Sequence, residues 1–111
     1  MVVMRGDEAE RRRAAARAAY RLRGVLEGHG ISGRVREGRG VALVEVCADL
    51  VAWTDGRCYF WWSGVVSETT RRRTYSYGPA DDPVTTARRV AGRYAQLRER
   101  STNDGGAEQV G

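Results

Sequence analysis

The side chains best able to do chemistry in this chain of 111 residues are few and scattered. His29 is the single histidine, and Cys47 and Cys58 are the only cysteines. A metal centre needs three or four ligands, and these three residues offer no CxxC or HxxxH spacing. His29 lies between Gly28 and Gly30 at the end of a helical pattern, where a cation meets the helix dipole favourably. Glu45 and Asp49 are the nearest thing to a carboxylate pair. Read on one extended strand they are ~13 Å apart by strand rise, too far for concerted acid–base work. The chain has no GxGxxG, no P-loop and no nucleophile elbow, and Gly38-Arg39-Gly40 reads as a hairpin loop rather than a phosphate cradle. No catalytic residue, metal, cofactor or small-molecule substrate is expected, and the chain does not read as an enzyme.

Aromatic and arginine side chains carry more information. Two β-rich runs, Val41–Trp53 and Cys58–Val66, flank Asp55-Gly56, a dipeptide suited to type I′ hairpin turns because both central residues need positive φ. A two-residue loop there pairs Trp53 with Cys58, Val51 with Phe60 and Leu50 with Trp61. Period-2 alternation then sorts the side chains. One face collects Ile31, Val35, Ala42, Val44, Val46, Ala48, Leu50, Ala52, Tyr59 and Trp61, the expected core. The other collects Leu43, Glu45, Cys47, Asp49, Val51, Trp53, Phe60 and Trp62, with Arg34 and Arg36. Glu45 and Asp49 put this second face in water, yet Val51, Trp53, Phe60 and Trp62 form an apolar patch of the kind that marks an interface. These four are the candidate partner-binding residues.

A second candidate surface is basic. Arg71, Arg72 and Arg73 precede Tyr75 and Tyr77, and Arg88, Arg89 and Arg93 follow on a helical pattern. Arginines interleaved with aromatics can hold a single-stranded nucleic acid by phosphate contact and base stacking. The register across residues 67–70 leaves open whether Tyr75 and Tyr77 join the aromatic face or the core. Charge on an edge strand also serves simply to discourage aggregation.

The elements that must position these residues follow from pattern and punctuation. Asp7 with Glu10 makes a capping start, and Ala15, Ala18, Ala19, Leu22, Val25 and Leu26 fall on one helical stripe that ends at the glycines around His29. Ile31–Glu37, Val41–Trp53, Cys58–Val66 and Arg71–Tyr77 read as four strands. Asp82 and Pro83 open a second helix, with Ala87, Val90, Ala91, Tyr94 and Leu97 on its apolar stripe. The expected fold is α+β, a two-layer sandwich in the order α-β-β-β-β-α, with both helices on one face of an antiparallel four-stranded sheet. Residues 1–6 are expected to be a flexible N-terminus, 7–100 a single domain, and 101–111 a disordered tail.

Composition bounds the class. All 19 basic residues are arginine, the formal net charge is +5, and Ile and Asn occur once each. That usage matches the codon bias of a high-GC bacterial genome, which weakens any inference from arginine richness to nucleic acid. Residues 1–23 hold seven arginines against three acids, whereas 24–70 hold four against six, so the basic excess avoids the central hairpin. No apolar run reaches the ~18–20 residues of a membrane span, and Met1-Val-Val-Met4 is not a secretion signal; translation starts at Met1 or Met4. Two cysteines without such a signal suit free thiols in a cytoplasmic protein.

Thr85-Thr86-Ala87-Arg88-Arg89-Val90-Ala91 resembles the basic start of the second helix in double-stranded RNA-binding domains, over about a dozen residues. The chain departs from that family in its extra strand, its longer first helix and the lack of a Gly-Pro-x-His loop, so membership is not inferred. The order of elements is also similar to small bacterial chaperone-like domains that dimerise, a likeness of shape alone. The expected function is therefore a protein-interaction module, a homodimerising adaptor or regulatory, chaperone-like protein. Its expected partner is itself or another protein, and nucleic-acid binding is the alternative.

Overall fold

A computed structural model describes the backbone of residues 2–110 and the side chains of residues 8–100. The elements in chain order are α1 (Val2–Gly28), β1 (Arg34–Glu37), β2 (Ala42–Cys47), β3 (Leu50–Thr54), β4 (Cys58–Val66), β5 (Arg73–Pro79) and α2 (Pro83–Val110). The strands form one antiparallel meander, β1-β2-β3-β4-β5. Asp7 falls within α1 rather than at its cap. The stretches expected to be a flexible N-terminus (1–6) and a disordered tail (101–111) lie at the outer ends of α1 and α2, and their side chains are outside the described residues.

The sheet has five strands, not the four expected. The run Val41–Trp53 is two strands joined at Ala48-Asp49, with Cys47 opposite Leu50. A register shift between Glu45 and Cys47 absorbs one residue, so Ala42 and Val44 on β2 and Leu50 and Ala52 on β3 keep even parity on the core face. An unbroken apolar alternation thus runs through a real turn that carries neither Gly nor Pro, and the sequence reads as one strand. Two face assignments change as a result. Ala48 is an exposed turn residue, and Cys47 packs beside Val46 against the core instead of joining the aromatic face.

The hairpin at Asp55-Gly56 also differs from expectation. Trp53 pairs with Phe60 and Thr54 with Tyr59, two residues away from the predicted register, because the connection is longer than a type I′ turn. Gly56 has φ 92° while Asp55 stays at negative φ. Asp55 instead accepts hydrogen bonds from the backbone N–H of Arg57 (2.8 Å) and Cys58 (3.0 Å), an Asx-type turn. A slip of two residues preserves parity, so the division into faces survives the error.

Both helices bury their stripes on one sheet face. Ala15, Ala18, Ala19, Leu22 and Leu26 of α1 and Ala87 and Val90 of α2 form a single buried cluster with the sheet residues Val44, Leu50, Ala52, Tyr59 and Trp61. The alanines let α1 approach closely. Tyr59 is fully buried, and its hydroxyl donates to the Ala18 carbonyl at 2.7 Å, so a large core side chain ties the sheet to the helix backbone. At the end of α1 the Ile31 N–H reaches Leu26 O and the Gly30 N–H reaches Glu27 O, with Gly30 at φ 76°. This is the Schellman arrangement; Leu26 and Ile31, its apolar partners, are both buried. Asp82 accepts from the Thr85 N–H at 3.1 Å and caps α2 just before Pro83. Among the described residues no helix is long and apolar enough to cross a membrane.

Candidate interaction surface

The sheet face turned away from the helices carries the aromatics. Register places Leu43 opposite Trp53, Trp53 opposite Phe60 and Phe60 opposite Tyr77, one row across four strands. Trp62 opposite Tyr75 begins a second row. Tyr75 and Tyr77 therefore join the aromatic face, the placement that the sequence left open, and they are 51% and 67% exposed. Val51, Trp53, Phe60 and Trp62, the four candidate partner-binding residues, are half-buried and share this face.

Ring contacts differ across the face. Trp53 and Phe60 stack on each other, with centroids 4.2 Å apart and planes 20° apart. The Arg73 guanidinium lies 4.3 Å from the centroid of Trp62, and the Arg93 guanidinium lies 5.6 Å from it. Trp53 and Phe60 each turn one ring face to the other and guanidinium groups lie over Trp62, whereas Tyr75 and Tyr77 make no ring or cation contact among the described residues.

Charge on the face is mixed. Arg36 pairs with Glu45 at 3.3 Å. Asp49 and Arg73 line one concavity of about 270 Å³, walled by Val51, Trp53, Trp62 and Tyr75, without forming an ion pair with each other. Arg34 is exposed on β1.

The basic candidates sit in different settings, with Arg73 over Trp62 on the aromatic face. Arg71 and Arg72 lie in the loop before β5, Arg71 at φ 59°, closed by hydrogen bonds between Ser67 and both residues. Arg89 donates to Tyr77 O at 2.9 Å and lies over Trp61, and Arg88 is exposed on α2. Arg93 is only 8% exposed. Its Nε is buried without a hydrogen-bond partner, and its one hydrogen bond among the described residues, to Gln96, is long at 3.4 Å.

The space for Arg93 comes from β4. The register shifts between Trp62 and Val65, and Gly64 in that bulge has φ 88°. A side chain at Gly64 would overlap the Arg93 guanidinium. Ser63-Gly64 inside an otherwise aromatic strand was the sequence signal for this bulge, and nothing in the sequence marked Arg93 as buried. Desolvating a guanidinium costs several kcal/mol, whereas a cation–π contact returns about 0.5–2 kcal/mol.

Among the described residues no group of three His, Cys, Asp or Glu could hold a metal. His29 is exposed, and Cys47 and Cys58 are free, half-buried thiols. Comparison of the chain with protein-family models, with curated protein sequences and with solved structures returns no match.

Proposed function

We propose that this protein is a cytoplasmic protein-interaction module that forms a homodimer through the sheet face bearing Val51, Trp53, Phe60, Trp62, Tyr75 and Tyr77. On this reading the fold is a two-layer sandwich whose helical layer serves the core while the bare sheet face serves a partner. The observation that carries it is the pair Tyr75 and Tyr77, more than half exposed and continuous with the aromatic rows of β3 and β4. A second copy is the favoured occupant because the face carries both signs of charge. Asp49 and Arg73 border the same concavity unpaired, and a two-fold partner offers each its complement, as an isologous interface requires.

The test is solution mass by light scattering at 50 and 500 mM salt, on the wild type and on Tyr77→Asp. Tyr77 is exposed, so the substitution spares the core. A dimer at both salt concentrations, reduced to a monomer by Tyr77→Asp, is the expected result. A monomeric wild type, or an unchanged mass for the variant, overturns the proposal.

Nucleic-acid binding is the second reading, favoured by one feature: Arg73 stands on the same face as the two open tyrosine rings. A monomer that co-purifies with nucleic acid and releases it between 50 and 500 mM salt would establish it, since phosphate contacts weaken steeply with salt.

A further inference from the structure

We infer that the cleft between the β4 bulge and α2 is an oxyanion site, built around Arg93 to receive a phosphate or carboxylate group. The cleft encloses about 350 Å³ and is lined by Ser63, Gly64 and Val65 on one side and by Arg93, Gln96, Glu99 and Arg100 on the other. It does not depend on the aromatic face for its chemistry.

Three observations converge on an anion. Arg93 is more than nine-tenths buried, with Nε unpartnered and only a long bond to Gln96. A guanidinium so placed normally has a carboxylate in bidentate contact, yet neither Arg93 nor Arg100 forms an ion pair among the described residues. A second cation is also at hand, since Arg100 lines the cleft with Arg93. Finally, the backbone makes room for the group: Gly64 takes positive φ where any side chain would displace the guanidinium. A bulge glycine that seats an arginine at the wall of an open cleft holds that arginine in one orientation, which is what planar recognition of an oxyanion requires.

Glu99 supplies the discriminating variant. If Arg93 and Arg100 served only to balance Glu99, then Glu99→Gln would lower stability. If the cleft receives an anion, the Glu99 carboxylate repels it, and Glu99→Gln tightens binding by about fivefold.

The experiment titrates inorganic phosphate, and separately acetate, into the full chain against chloride at matched ionic strength, read by tryptophan fluorescence and by the unfolding midpoint. Saturable phosphate binding is expected. It should be lost in Arg93→Gln, weakened about fivefold in Arg100→Gln, which is exposed and spares the fold, and tightened in Glu99→Gln. Phosphate without acetate binding identifies a phosphate-bearing ligand, and binding of both identifies a carboxylate-accepting site. No saturable response to either anion, or weaker binding in Glu99→Gln, overturns the inference.

Discussion

Asp55 shows how one side chain sets a hairpin whose sequence signature points to a different turn. Burial alone would raise its pKa. The backbone N–H donors of Cys58 and Arg57, its own N–H and the Arg57 charge outweigh that, and the carboxyl titrates below its ordinary value. The group therefore binds its proton less tightly folded than unfolded. Its contribution to stability is fully present above the unfolded pKa of about 4 and is lost as pH falls through the lower folded value. Removing the acceptor by Asp55→Ala should cost about 1–2 kcal/mol at pH 7. That gap between wild type and variant should narrow at pH 3, measured as urea midpoints at both pH values. A gap of the same size at pH 3 would mean that the carboxylate charge is not what holds the turn. Trp53 and Phe60 meet only because this connection is longer than two residues, so a local turn interaction decides which aromatics stack.

At the scale of elements, the same hairpin is also the seat of α1. Gly56 presents its Cα to the helix: a Cβ there would lie 2.8 Å from Ala14 Cβ and 3.0 Å from the α1 backbone at Ala14 and Ala15. Positive φ adds strain of its own for any other residue. Gly56→Ala should therefore cost about 2 kcal/mol or more. Gly24→Ala, inside α1 about one turn before its end and with open space around it, should instead gain about 0.5–1 kcal/mol. Chemical denaturation of the two variants checks both signs together, and equal stability for both would show that α1 does not rest on the turn.

The apolar stripes of both helices and the even-parity core of β2 and β3 are legible in the sequence, because helical and strand periods are properties of residue spacing. The turn at Ala48-Asp49 is not, because a bulge keeps the alternation in phase across it. The aromatic face is legible by parity at Val51, Trp53, Phe60 and Trp62, and survives a register error of two. The placement of Tyr75 and Tyr77 depends on how many residues the Ser63-Gly64 bulge absorbs, which residue spacing alone does not give.

At the scale of the whole molecule, the helices and the bare sheet face should respond differently to protein concentration. Folding of each chain buries the helical stripes on the inner face, a contribution independent of how many chains are present. Any apolar surface buried only between chains stabilises by mass action, so its contribution grows with concentration. For a dimer, a tenfold rise in concentration favours the assembled state by about 1.4 kcal/mol, shared by two chains. In a domain of this size that corresponds to an increase of roughly 3–5 °C in the unfolding midpoint. The wild type should show this shift across a tenfold concentration series by calorimetry, and Tyr77→Asp should show none while keeping a cooperative transition. The pairing of results matters. A concentration-independent midpoint in the wild type would mean that unfolding does not draw on chain–chain contacts. A concentration-dependent one that persists in Tyr77→Asp would place the contact elsewhere, away from the row that runs from Leu43 through Trp53 and Phe60 to Tyr77.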